Sequence, residues 1–226
     1  MQTDSLELTE ISEKVICCSL CPRLLSYIKQ VGKTKVRRFI TEDYYAKPLP
    51  GFGDPHAQLV IVGLAPAAHG GNRTGRIFTG DSSGDWVVKA LFETGFANKP
   101  YSLSKYDGLV LIGAYMTAAV KCAPPQNKPN MCEISNCSQH LLSEIHALQP
   151  TMEIILTLGK VAFDAYCKLF NVERLTFTHG ACYSVDDRKT LLVSYHPSRR
   201  NTSTGKLTWQ MWIDVFKRAR SLITSK

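Results

Sequence analysis

No apolar run in the 226 residues approaches the roughly 18 needed to cross a bilayer as a helix. No basic segment followed by an apolar core opens the chain. Met1 to Glu13 is polar and acidic, so an exported product is not expected and the protein is read as intracellular, cytoplasmic or nucleoid-associated. Two nucleotide signatures are missing as well. There is no Gly-Lys-Ser/Thr ending to a glycine loop and no Gly-x-Gly-x-x-Gly, which removes most support for ATP or dinucleotide chemistry. Internal repeats, low-complexity tracts and long linkers are absent too, so residues 1–226 read as one domain.

What is present is an ordinary globular composition with a basic excess, 44% hydrophobic and 20% charged residues with a formal charge of +8. That balance favours a polyanionic partner without requiring one. Four apolar runs read as strands: Leu59–Val62, Leu109–Ile112, Ile154–Leu158 and Leu191–Ser194. Between them lie helical patterns at Gly84–Thr94, Asn130–Leu148, Lys160–Phe170 and Leu207–Ile223. A helical stretch from about Leu8 to Gln30 is broken near Cys17–Pro22, and Lys47–Pro55 reads as an irregular surface loop. Alternating strands and helices imply an α/β fold, a three-layer α/β/α arrangement around a central, mostly parallel four-stranded sheet.

The most informative segment is Gly63–Asp81, which follows the first buried strand and holds five glycines and two arginines. Glycines let backbone amides approach a ligand closely, and arginines suit phosphates. Phe78 three residues before Asp81 sets a stacking face beside a carboxylate. A planar base on a phosphodiester backbone matches that set. In open parallel sheets ligands sit at the carboxyl ends of strands. His196-Pro197, after the last strand, lies at such an exit and is expected to converge on the same cleft. Asp81 also precedes a helical run, so helix capping is its rival role.

Eight cysteines without an export signal read as thiols or metal ligands rather than disulfides. Cys18-x2-Cys21 pairs with Cys122 and Cys137 as a four-thiolate site. Cys17 and Cys132 compete as ligands, and spacing does not separate zinc from an iron–sulfur cluster.

With these residues in view the chain resembles a type-b, or family-5, uracil-DNA glycosylase. The resemblance rests on Gly63–Arg76 with Phe78-Thr79-Gly80-Asp81, on Thr117–Pro125 with Asn127-Lys128-Pro129, and on His196-Pro197-Ser198 with Asn201-Thr202 and Thr204-Gly205. It implies the glycosylase α/β/α fold and a [4Fe–4S] cluster on Cys18, Cys21, Cys122 and Cys137. It implies excision of uracil from duplex and single-stranded DNA by an enzyme that leaves an intact abasic site. Asp81 would activate or orient water and His196 would steady the departing base. Phe78, Ala65, Asn127 and His69 would contact the base, while Arg73, Arg76, Arg199, Arg200 and Asn201 would contact DNA. Related type-a enzymes carry an Asn before the third cysteine, where this chain has Thr117-Ala118-Ala119-Val120. The expected consequence is looser selectivity that reaches deaminated purines such as hypoxanthine, with Asn127 the nearest substitute amide. A monomer is expected, with a sliding clamp or downstream abasic-site repair enzymes as candidate protein partners. The alternative from a different class is a non-catalytic iron–sulfur or metal-bearing nucleic-acid-binding module.

Overall fold

A computed structural model describes residues 2–186 and 188–224. Met1, Asp187, Ser225 and Lys226, which the single-domain expectation includes, lie outside the described residues.

The N-terminal region forms α1 (Gln2–Ile16) and α2 (Pro22–Thr34), with Pro22 at the first turn of α2, where a missing N–H costs nothing. A short strand β1 (Phe52–Gly53) follows, then β2 (Leu59–Gly63), a one-turn helix α3 (Gly71–Thr74) and α4 (Ser82–Glu93). The remaining elements are β3 (Ala114–Ala118), α5 (Met131–Leu148), β4 (Ile154–Leu158), α6 (Lys160–Leu169), β5 (Cys182–Ser184), β6 (Thr190–Ser194), α7 (Arg199–Ser203) and α8 (Trp209–Thr224). No helix among the described residues is long and apolar enough to cross a membrane.

The sheet has six strands in the order β1-β3-β2-β4-β6-β5, rather than four. Its centre is the expected parallel set, β3-β2-β4-β6, and the two extra strands are short antiparallel edges. β2, β3 and β4 are buried at every residue, as strands covered on both faces must be. On one face Leu59, Ile61, Met116 and Leu156 pack with Val87 and Leu91 of α4 and Trp212 and Phe216 of α8. On the other, Val60, Val62, Ile155 and Val193 pack with Leu8 and Val15 of α1, Leu141 of α5 and Phe163 of α6. The three-layer α/β/α expectation therefore stands.

Two local expectations are corrected. Leu109–Ile112 is not a strand; the second parallel strand begins at Ala114. Leu109 and Leu111 turn inward while Val110 and Ile112 are exposed, and only Leu111 bridges, to Ala97. The run is a half-buried approach to the sheet, whereas Ala114–Ala118, with fewer large aliphatics, is the one enclosed on both faces. Lys47–Pro55 is not purely a surface loop either. Leu49 is buried and donates its N–H to the Lys121 carbonyl at 2.7 Å, and Phe52–Gly53 pairs with Tyr115 and Met116. Gly51 permits this approach, since a Cβ there would lie 2.3 Å from the Tyr115 ring.

Successive parallel strands step from β2 out to β3, then back past β2 to β4 and β6. The chain leaving β2 runs to α4 on one face, and the chain leaving β4 runs to α6 on the other. A crevice opens where such connections diverge.

Candidate active site

A cavity of about 410 Å³ occupies that position, walled by connections leaving β2, β3 and β6. The connection after β2 contributes Ala65, Phe78 and Asp81, that after β3 contributes Asn127, and that after β6 contributes His196 and Arg199. The Ser83 hydroxyl, at the start of α4, donates to the Pro197 carbonyl at 3.1 Å and fastens the first wall to the last.

Asp81 is the N-cap of α4. Its Oδ1 accepts the N–H groups of Ser83 at 2.9 Å and Gly84 at 3.0 Å, satisfying two amides a helix start leaves open. The rival capping role is therefore real, but it uses one oxygen. Oδ2 makes no hydrogen bond among the described residues and lies against Gly70, where a Cβ would come within 2.1 Å of it. Burial raises the carboxyl above its ordinary range, and the Gly84 and Ser83 amides only partly offset that rise.

His196 lies across the same cavity. Desolvation lowers its pKa to about 4, so the ring is a neutral imidazole near pH 7. Asn201 does not face outward as a free DNA contact; its Nδ2 donates to the His196 carbonyl at 2.9 Å and fixes the turn that carries the ring. Gly159, at the end of β4 with φ of 90°, gives that turn room, its Cβ position being 3.1 Å from the His196 Cβ.

Phe78 is 8% exposed and has φ of 50°, an uncommon conformation for a residue with a side chain. Two glycines admit it. A Cβ on Gly63 would meet the ring tip at 2.6 Å, and one on Gly84 would meet the Phe78 carbonyl at 2.3 Å. The ring thus lies flush on the end of β2.

Two expected phosphate contacts are turned inward instead. Arg73 is paired with Glu42, donates to the His69 carbonyl at 2.9 Å and covers the Phe39 ring at 3.8 Å. Arg76 is 4% exposed and bonds Thr79 at 3.0 Å, Ser102 at 2.6 Å and Asp107 at 2.7 Å. A loop with five glycines needs internal cross-bracing, and these guanidinium groups supply it. Arg199 and Arg200, on α7, are exposed. His69 is outside the cavity wall; its Nδ1 shares a 2.9 Å hydrogen bond with the Tyr44 hydroxyl.

The cysteines differ in burial, and Cys18 is only half-buried. Cys21, Cys122 and Cys137 are buried in one apolar cluster with Leu24, Ile28 and Val120. Burial pushes Cys137 up to about 11 and raises Cys122 still further, with charge repulsion among these thiols and Cys18 adding to both. Cys17 and Cys132 are exposed. Among the described residues no group of three or more His, Cys, Asp or Glu is arranged to hold a single metal ion. Next to the thiols, Arg23 of α2 forms a two-pronged pair with Glu133 of α5, both bonds 2.7 Å, and reaches the Lys128 carbonyl at 3.4 Å. This pair anchors the turn carrying Asn127, where Gln126 and Asn127 both have positive φ, 54° and 57°.

The family model of the uracil DNA glycosylase superfamily matches residues 50–219. The chain is 44% identical to a type-5 uracil-DNA glycosylase of Thermus thermophilus over 93% of its own length and 95% of that protein. The chain belongs to the type-5 uracil-DNA glycosylases. A second member, from Pyrobaculum aerophilum, is 43% identical over 91% of this chain and 89% of the other. A type-4 uracil-DNA glycosylase from the same organism is 30% identical over 69% of this chain. The type-5 relatives therefore cover nearly the whole chain, more of it than the matched superfamily region 50–219. The sequence does not single out Ser83, which lines the type-5 glycosylase cavity, or Gly70, which lies against the Asp81 carboxylate.

Proposed function

We propose that the protein is a hydrolase that excises uracil from DNA by breaking the N-glycosidic bond of an extruded nucleotide, opening base excision repair. The observation that carries this reading is the meeting of Asp81, Phe78 and His196 on one cavity, from loops far apart in sequence. A non-catalytic binding module gives no reason to bury a carboxylate and an imidazole against one space.

A base within a duplex is out of reach and must be flipped out, which costs least when it is mispaired or single-stranded. The flipped ring stacks on Phe78. Departure of the base leaves cationic character on the sugar and negative charge on the ring. The free oxygen of Asp81 orients the attacking water, receives its proton as the C1′–O bond forms, and offsets the sugar's charge. An N–H of neutral His196 donates to the uracil O2, where negative charge grows as the C1′–N1 bond breaks. A donor already placed needs no positive charge to do this. No lysine lines the cavity, so no amine competes with water and the product is an intact abasic site. Arg199 and Arg200 meet phosphates at the cavity lip, while Arg73, Arg76 and Asn201 act by ordering the two loops.

The cavity is walled by small side chains, Ala65 and Ala67 among them, with Asn127 the one amide. A deaminated purine such as hypoxanthine meets no steric refusal there, which supports a wider range than uracil.

The thiol set fits a [4Fe–4S] cluster. Cys18 and Cys21 precede α2, Cys122 follows β3 and Cys137 lies in α5, the last three in one buried cluster, and a cubane keeps its donor sulfurs farther apart than a single ion does. The Lys121 N–H donates to the Cys137 sulfur at 3.4 Å and the Asn136 amide to Cys21 at 3.6 Å, bonds suited to thiolates. When bound, the cluster supplies a covalent cross-link between the N-terminal helices and the Asn127 turn. Cys18→Ser is therefore expected to give protein with less iron, weaker visible absorption and a lower unfolding temperature. Unchanged iron content and colour would take Cys18 out of the ligand set.

The decisive test is incubation with a uracil-containing oligonucleotide followed by hot alkali. Cleavage is expected only after alkali, and no cleavage with any deaminated base would favour the binding module. The pH profile adds a check on the two roles. Asp81 acts ionised and its pKa is raised, so excision falls on acidification with a midpoint above the ordinary aspartate value. His196 acts neutral and its pKa is about 4, so no loss accompanies a rise from pH 6 to pH 8. A loss across that window would mean that His196 works as a cation.

A further inference from the structure

Away from the cavity, exposed aromatic side chains concentrate in residues 99–106, where Tyr101 is 47% and Tyr106 83% exposed, with Leu103 at 62% between them. The segment is firmly held. The Asp107 carboxylate accepts the N–H groups of Leu103 at 2.7 Å and Ser104 at 3.2 Å, and the buried Arg76 at 2.7 Å. Burial works to raise the Asp107 carboxyl, but Arg76 and the backbone amides outweigh it and hold it well below the usual range. Lys99 reaches the Asp107 carbonyl at 2.6 Å. The tip, Leu103 to Tyr106, is thus a fixed platform rather than a loose loop.

This platform forms one wall of a groove of about 390 Å³, with Tyr44 and Tyr45 opposite and Arg73 and Thr74 also lining it. The Lys105 ammonium lies 5.3 Å from the Tyr45 ring and 4.8 Å from the Tyr106 ring. The carboxylates at the rim are already answered, Glu42 by Arg73 and Asp43 by Lys35 at 3.8 Å. Lys105 has no carboxylate partner among the described residues. Aromatic faces beside an uncompensated lysine are the means by which proteins hold unpaired nucleic acid, base on ring and phosphate on cation. Arg73 and Thr74 belong to the same loop, 64–81, that lines the cavity with Ala65, Phe78 and Asp81. Within it Arg73 donates to the Gly80 carbonyl at 3.3 Å, next to Asp81. Groove and cavity are two flanks of one loop.

We propose that this groove is a second nucleic-acid site, taking an unpaired base and its phosphate from the DNA strand whose extruded nucleotide occupies the cavity. The base stacks between Tyr106 and Tyr45, and the phosphate lies beside Lys105. This rests on the glycosylase reading, and it supplies a physical source of preference for single-stranded or frayed substrates.

The test uses the full-length holoprotein and fluorescence anisotropy with oligonucleotides bearing one uracil and unpaired flanks lengthened on either side. Affinity is expected to rise as one flank, and not the other, is lengthened. Tyr106→Ala should erase that gain, roughly a tenfold loss, and Tyr106→Phe should keep it. Lys105→Gln should reduce the salt dependence by about one phosphate contact. Excision from a short duplex without flanks, at saturating concentration, should be unchanged in Tyr106→Ala. Equal affinity of Tyr106→Ala and the parent for flanked strands would overturn the proposal, as would a flank gain on neither side or equal losses in the Ala and Phe variants. Failure of the parent to excise uracil from these oligonucleotides would instead strike the glycosylase reading, because anisotropy reports flank binding whether or not excision follows.

Discussion

Asp81→Asn is expected to lower uracil excision about a thousandfold while leaving the protein folded. The two functions of this side chain use different oxygens, which is why the substitution separates them. The asparagine carbonyl still accepts from the Ser83 and Gly84 amides, so α4 keeps its cap. What disappears is the negative charge facing the sugar. Stability should hold or rise. The folded-state pKa of Asp81 is raised, so its stabilising contribution belongs to pH below its unfolded value and is lost as pH rises through the folded value. At neutral pH the buried carboxylate is a burden on the fold that asparagine removes. Single-turnover excision and thermal unfolding on the same preparation check both halves. Excision within tenfold of the parent would remove Asp81 from the chemistry, and an unfolded product would contradict the claim that the asparagine carbonyl keeps the cap.

Gly70→Ala is expected to cost about a hundredfold in kcat, with a smaller change in KM. The added methyl group would lie 2.1 Å from the free oxygen of Asp81, 2.9 Å from its carboxyl carbon and 3.0 Å from its Cβ. The carboxylate is held at Oδ1 by two amides, so it cannot swing aside without giving them up. A displacement of this size, in a group that must meet water and sugar together, is enough to lose most of the rate. The neighbouring Gly71→Ala is the control. Its nearest contacts would be 3.2 Å, to the Arg76 carbonyl and Pro66, and none is to Asp81. Equal rates for the two alanine variants would contradict the idea that Gly70 seats the carboxylate.

Most of the framework was legible in the residues. Three of the four parallel strands were visible as continuous aliphatic runs, because burial on both faces leaves no alternation to confuse. The fourth, Ala114–Ala118, was masked by the more hydrophobic Leu109–Ile112 just before it. Hydrophobicity ranks residues, but only a neighbouring strand makes a strand. The edge strands Phe52–Gly53 and Cys182–Ser184 are too short to show a period at all. At the site, Asp81, Phe78 and His196 stood out because their residue types sit at strand exits. The arginines of the glycine-rich loop misled, since charge and position say nothing about which way a guanidinium points. Arg76 turns inward because Asp107, far along the chain, offers it a carboxylate. Gly70 was one glycine among five, and its role depends on a contact eleven residues away that no spacing rule encodes.

The tie between Ser83 and Pro197 has a consequence for how the enzyme comes into being. β6 follows β4 in the sheet, and the turn after it carries His196, thirty residues before the last one. A chain interrupted before Thr190 would hold Asp81, Phe78 and Cys18, Cys21, Cys122 and Cys137, yet its pocket would have no far side. A chain cut there also loses β6 and the α8 side of the core, so on the proposed reading assembly of the cavity waits for the last strand and helix to dock.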